Sequence, residues 1–338
     1  MTVGEVWTLS EFRQGQLREV SLELLAWGRG LADELQTELC AIILTDQVTD
    51  EQLGQVFAYG ADKVYLAKHD KLADFLVEPH AKILQHLVDT YKPWIFLAGA
   101  TTTGRTVMPY LSMILHTGLT ADCTKLEIEA ETGNLLQIRP AIGGNIMATI
   151  KTPDHRPQMA TVRPKSINLL EPDFSRSGEV IEIDPSEEAL SSRMILEEMI
   201  IEGHSKAALE EAEIVVSGGK GIQESQNFQL VYDLAEKLGG VVASARPPVD
   251  LGWQPYTGQV GLTGKTISPS LYIACGISGA VQHLAGIQTA KNIIAINIDA
   301  DAPIFQVSDF GIVGDIFEVL PVLIKRIEDN NLHEEKKE

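Results

Sequence analysis

Residues 271–297 read LYIACGISGAVQHLAGIQTAKNIIAIN. An apolar run of strand length, LYIAC, ends in Gly276-Ile277-Ser278-Gly279, the helical segment AVQHLAGIQTA follows, and a second buried run, IIAI, closes on Asn297. Two continuous apolar runs around a helix predict a parallel strand–helix–strand unit, because strands covered on both faces have no polar side to show. The pattern repeats outward. AEIVVSGGKG at 212–221 is a strand followed by a glycine turn. The segment NFQLVYDLAEKL then sets Phe228, Val231, Leu234, Ala235 and Leu238 on one helical face, with Gly239-Gly240 as its stop. VVASA leads into Arg246, and a last helix is expected from about 312 to 327, kinked or restarted at Pro321.

Apolar runs at 5–9, 39–44, 63–67 and 94–98, with helix-like segments near 20–36, 73–90 and 105–115, carry the same alternation through the first hundred residues. From 124 to 162 the character changes. LEIEAETGNLLQI and NIMATIKTPDHRPQMATV are cut by Thr132-Gly133-Asn134 and Gly143-Gly144-Asn145, which predicts antiparallel hairpins closing a first domain. Residues 171–192 are polar, acidic and turn-rich, so a linker is expected there or slightly later, ending near 204. The 338 residues exceed one core of ~250. The expected division is a first α/β domain over 1–192, a second over 193–330 and a frayed tail over 331–338.

With 27 Lys plus Arg against 47 Asp plus Glu the net charge is −20, which repels a phosphate backbone and an anionic membrane face, so neither nucleic acid nor bare membrane is an expected partner. Cys40, Cys123 and Cys275 are too far apart for a zinc or iron–sulfur spacing and read as buried thiols of a reducing compartment. No metal site is expected. The N-terminus carries neither a basic-then-apolar leader nor a transit-peptide composition, so the chain reads as cytoplasmic.

In an open parallel sheet the ligand lies beyond the carboxyl ends of the strands. Four predicted strands deliver Gly219-Lys220-Gly221, Arg246, Ser278-Gly279-Ala280 and Asn297 to one edge. Glycine loops for close approach, a helix N-terminus at Ala280 and two cations suit a pyrophosphate. The familiar fingerprints fail: Glu224 stands where GxGxxG needs its third glycine, Gln259 where a P-loop ending Gly264-Lys265-Thr266 needs its first, and Arg246 replaces the acid that meets an NAD ribose. No GxSxG elbow or HExxH occurs, and Glu187-Glu188 and Glu197-Glu198 read as solvated surface charge.

The run QVGLTGKTISPSLYIACGISGAVQHLAGIQTAKNIIAINIDADAPIFQVSDFGIVGDIFEVLP, residues 259–321, resembles the signature region of electron-transfer flavoprotein alpha subunits. Stretches within 117–164, TGLTADCTKLEI and RPAIGGNIMATIKTPDHRPQMATVRP, resemble the same family's N-terminal domain. That resemblance implies an FAD-binding C-terminal domain of Rossmann-like type without GxGxxG. The pyrophosphate would rest on Ser278, Gly279 and Ala280, with Val281 and Gln282 beside it. His283 would sit at the pyrimidine edge of the flavin, where reduction places negative charge; from the residues alone a core histidine on that helix is an equal reading. Thr263, in the loop Gln259-Val260-Gly261-Leu262-Thr263-Gly264, would offer its hydroxyl to flavin N5, and Arg246 would lie against the ring. Asn297, Asp299, Asp315 and Ile316 would hold the AMP half, although Asp315 beside a glycine also reads as a helix cap. Three positions depart from the family pattern: Lys220 for the usual arginine, Ala245 where a serine is common, with Ser244 one place earlier, and Leu262 for a frequent glutamine. Gly219 and Gly221 complete the expected cofactor loops.

The resemblance further implies a heterodimer with a beta subunit, a dehydrogenase partner such as an acyl-CoA dehydrogenase, and no substrate chemistry of the chain's own. A small flavin domain swinging on the polar tether would serve several partners. The alternative is a subunit of an NADH-dependent electron-bifurcating complex reducing ferredoxin, and a third reading is an NADP-binding or thiamine-enzyme-like nucleotide domain without redox work.

Overall fold

The computed structural model describes residues 3–141, 146–198 and 209–334, and the chain divides into two compact units, residues 1–200 and 201–338. The expected turn at Gly143-Gly144-Asn145 and the linker end near 204 lie outside the described residues.

The first unit is built on a wholly parallel seven-stranded sheet in the order Glu179–Ile183, Lys63–Lys68, Leu39–Thr45, Val6–Leu9, Ile95–Gly99, Gln158–Val162, Leu119–Cys123. The central strands are buried at every position, as both faces are covered by the helices Glu19–Leu35, Asp50–Ala58, Val77–Tyr91 and Thr102–Ile114. The helix Asp50–Ala58 was not expected, yet its signal is present: Thr49 accepts from Gln52 N and the Gln52 side chain accepts from Thr49 N, closing a capping box.

Two expectations for this unit are corrected. Within 124–162 only Lys125–Ile128, Leu135–Pro140 and Met147–Ile150 pair antiparallel, whereas Gln158–Val162 joins the main sheet in parallel, between Ile95–Gly99 and Leu119–Cys123. The reason is burial: Gln158–Val162 is covered at all positions and has no wet face for a hairpin to expose. The second concerns residues 171–192, which are no loose linker. They supply the edge strand Glu179–Ile183, and around it Arg176 bonds Asp62 Oδ1 at 2.9 Å, Lys82 Nζ donates to Ser191 O at 2.9 Å, and Leu190 is buried. A polar composition here marks a strand with one open edge, where charge discourages further pairing.

The second unit holds a parallel five-stranded sheet in the order Val241–Ser244, Ile214–Gly218, Leu271–Cys275, Ile293–Asn297, Phe310–Val313. Chain progression therefore reverses between the first strand and the third, which makes the gap above Gly218 and Cys275 the switch point of a doubly wound sheet. The fold class read from the sequence holds: two α/β units on parallel sheets flanked by helices. The last helix, expected from about 312, begins later: Phe310–Val313 is a strand, and the helix runs Ile316–Glu334 through Pro321 without a break. That helix also occupies the first four residues of the stretch expected to fray.

The segment after Gly279 departs most. Instead of an eleven-residue helix there is one turn, Val281–Leu284, followed by turns to 289. Gly286 is the cause, since a Cβ there would stand 2.5 Å from Gly261 N, so the chain gives up helix to let two loops touch backbone to backbone.

Candidate functional site: the carboxyl edge of the second sheet

At the switch point the two glycine loops pack on each other. Gly219 N donates to Cys275 O at 2.9 Å, Gly221 N donates to Gly276 O at 3.0 Å, and a Cβ on Gly219 would stand 2.2 Å from Gly276 O. Gly219 and Gly221 thus serve loop–loop contact, and their amides are engaged within the protein. Lys220, between them, projects into solvent.

The third strand's loop behaves differently. Among the described residues the backbone N–H groups of Ser278, Gly279, Ala280, Val281 and Gln282 have no protein acceptor, five amides in succession. Gly279 makes their geometry possible: its φ is +84°, and a Cβ there would lie 2.3 Å from Ile304 N. A run of free donors around a left-handed glycine is an anion-binding concavity. It fits a pyrophosphate better than the expected helix N-terminus would, because a single turn contributes little dipole.

Around this concavity the loop 259–264 is tightly held. Leu262 N donates to Gln282 O at 2.7 Å, Val260 N to Ser244 O at 2.9 Å, and Lys265 N to Gln259 O at 2.8 Å. Gly261 takes a φ of +141° beneath Gln282 O, and a Cβ on Gly264 would meet Gln259 O at 2.4 Å. Gln259 is buried and donates from Nε2 to Thr263 Oγ1 at 3.0 Å, which leaves the exposed threonine hydroxyl its own hydrogen to give outward. Ser244 and Ala245 are buried, the Ser244 hydroxyl without a partner, and Arg246 is exposed, its Nε 3.0 Å from Asp250 Oδ2.

Other expected residues are occupied by the protein itself. Asn297 Nδ2 donates to Ile277 O at 2.9 Å and Oδ1 accepts from Asp299 N at 3.0 Å, so its amide ties two loops of the edge together. Asp299 Oδ1 in turn accepts from Asp301 N. Asp315 caps the last helix, accepting from Phe317 N at 2.9 Å, and the Ile316 side chain is core. Val281 and Gln282 are exposed beside the free amides.

His283 is buried, with Nδ1 3.1 Å from Val260 O and Nε2 2.8 Å from the Tyr272 hydroxyl. Burial pushes its pKa down to about 4, against the opposing pull of the Val260 carbonyl, so the ring is neutral at pH 7. Tyr272 is not singled out by the sequence reading. The only hint was a phenol inside an otherwise apolar strand. Among the described residues no three His, Cys, Asp or Glu side chains are grouped to hold a metal, and no helix is long and apolar enough to cross a membrane.

A doubly wound sheet with free amides and cations along its carboxyl edge and, among the described residues, no hydrogen-bonded acid/base pair at its switch point has the edge of a dinucleotide-binding protein. Residues 6–188 match the electron transfer flavoprotein domain family, and residues 208–288 match the electron transfer flavoprotein FAD-binding domain family. The electron transfer flavoprotein subunit alpha of Thermoanaerobacterium thermosaccharolyticum is 46% identical over 96% of this chain and 97% of its own length. That of Megasphaera elsdenii is 43% identical, covering 95% and 96%, and the protein FixB of Azotobacter vinelandii is 44% identical, covering 95% and 90%. A thiamine diphosphate-dependent 4-hydroxybenzoylformate decarboxylase of Rhodococcus jostii superposes with a TM-score of 0.22 at 15% identity over 91% of this chain and 62% of that one, too slight a likeness to bear on function.

The chain belongs to the electron transfer flavoprotein family as an alpha subunit. It binds FAD and acts in electron transfer.

Proposed function

We propose that the chain pairs with an electron transfer flavoprotein beta subunit and carries electrons from a dehydrogenase of the acyl-CoA type, as in fatty acid beta-oxidation, to other redox partners in the cytoplasm. The observation that carries the site assignment is the succession of five free amides at 278–282 in the unit that matches the FAD-binding family. Bound FAD supplies reversible electron uptake, and the chain supplies position and field. The amides of Ser278, Gly279 and Ala280 hold the pyrophosphate, with Lys220 and Arg246 adding positive charge. The Thr263 hydroxyl, aimed by Gln259, serves flavin N5, and His283 borders the pyrimidine edge. Gly219, Gly221, Ser244, Ala245, Val260, Gly261, Leu262 and Gly264 shape the walls, while Asn297, Asp299, Asp315 and Ile316 border the AMP half.

The test is the visible spectrum of the purified heterodimer, with flavin counted per dimer and NADH added. One flavin that NADH leaves oxidised supports the simple carrier. Two flavins, reduced by NADH, would replace it with a bifurcating complex serving ferredoxin, and a colourless dimer that takes up no FAD would overturn the assignment.

A further inference from the structure

A backbone carbonyl only accepts hydrogen bonds, so the contact of His283 Nδ1 with Val260 O places the ring hydrogen on Nδ1. In the neutral ring Nε2 then accepts, and the Tyr272 hydroxyl is its donor. Tyr272 is fully covered, and burial pushes its ionisation far up, so it stays a phenol. On the neighbouring strand Val215 pairs with Tyr272, and two residues on, Ser217 turns its side chain to the same face. The Ser217 hydroxyl is completely buried and faces the Tyr272 oxygen without closing a hydrogen bond of full geometry. A buried hydroxyl left this way calls for an explanation.

We propose that Ser217, Tyr272 and His283 form a two-way hydrogen-bond relay that keeps His283 partnered both as imidazole and as imidazolium, so that it can take up a proton when negative charge arrives at the FAD ring. With the ring neutral, Ser217 faces the phenol oxygen as donor and Tyr272 donates to Nε2. When one proton from water enters at Nε2, the phenol rotates: its oxygen accepts from Nε2–H and its hydrogen turns to Ser217 Oγ. No covalent bond in Tyr272 or Ser217 breaks, and the proton returns to water on reoxidation. The groups facing the ring are the Tyr272 hydroxyl from the strand and the Val260 carbonyl from the loop, with the Ser217 hydroxyl beyond the phenol; among the described residues no charged side chain bonds the ring. The Cys275 thiol near Tyr272 is pushed up to about 12 by burial and remains neutral. Tyr272 and Ser217 are positioning residues, acting on the cofactor through His283. The relay rests on the reading that FAD lies beside His283.

The experiment is nitrogen-15 NMR of histidine-labelled heterodimer, loaded with FAD, titrated with acid and base in the oxidised state and after anaerobic dithionite reduction. In the wild type His283 is expected as the Nδ1–H tautomer when oxidised, and its protonation constant rises tenfold or more on reduction. Tyr272→Phe abolishes that rise, and Ser217→Ala, which removes one oxygen from the core, reduces it about threefold while leaving the oxidised tautomer intact. An unchanged protonation constant on reduction of the wild type overturns the relay, as does a full-sized rise in either variant. A His283 signal identical with and without FAD refutes instead the placement of the cofactor.

Discussion

In the first unit the strand order reverses between Val6–Leu9 and Ile95–Gly99, and the place above their carboxyl ends is taken by Glu11. Its carboxylate, almost wholly buried, accepts from Thr101 Oγ1 at 2.6 Å and from Arg18 Nη1 at 2.9 Å. In the second unit the reversal falls between Ile214–Gly218 and Leu271–Cys275, and the corresponding place holds Gly219, Gly276 and a row of free amides. The same architecture thus carries an internal anion in one unit and a row of free amide donors in the other. A carboxylate fixed at a switch point repels phosphate, while free N–H groups attract it. Doubly wound topology marks where a ligand could bind, and the residues at the loop tips decide whether one does.

The sharpest way to break this contrast is Gly279→Ala. The side chain would meet Ile304 N and hold a non-glycine residue at positive φ, so FAD affinity should fall about a thousandfold, ~4 kcal/mol, as read by flavin retained on dialysis. Affinity within threefold of wild type would show that the amide row is not the phosphate seat.

Next is the pH response of another buried carboxylate of the first unit. Glu23, on the helix Glu19–Leu35, accepts from Lys165 N at 2.7 Å, and burial raises its pKa from 4.5 to about 7. The folded state therefore keeps a proton that the unfolded chain loses, so this contribution is complete below pH 4.5 and is lost as pH climbs to 7, on the order of 3 kcal/mol. Urea unfolding of the first unit at pH 5 and pH 8 should differ by that order in the wild type and much less in Glu23→Gln.

Glu11→Gln follows, with an expected loss of ~2 kcal/mol in the first unit's stability, below the range for a fully buried pair because Arg18 is partly exposed. FAD content should not change. A drop in flavin would mean the two switch points are not independent. The smallest effect belongs to Asp250→Ala, which removes an exposed i,i+4 partner from Arg246: about 0.3–0.5 kcal/mol in stability, with FAD affinity unchanged or higher.

Legibility divides along physical lines. The central strands could be read directly because helices on both faces demand unbroken apolar runs, and Leu39–Thr45 or Leu271–Cys275 show them. Phe310–Val313 escaped because all four residues of this edge strand are exposed, and Glu179–Ile183 because an edge strand dressed in charge looks like a linker. Residues 281–289 have helical periodicity but one helical turn, a choice made by the contact of Gly286 with Gly261.

From the amino-acid sequence alone came the parallel α/β class, the carboxyl edge as the ligand side and the flavoprotein resemblance, since periodicity and glycine placement are local and survive in one dimension. Only the tertiary structure decided which glycines serve chain contact and which turn a row of amides free, why Glu11 closes one crevice, and that Tyr272 and His283 meet beside Ser217. Those are relations between residues distant in sequence, and strand order with register, not composition, brings them within hydrogen-bond reach.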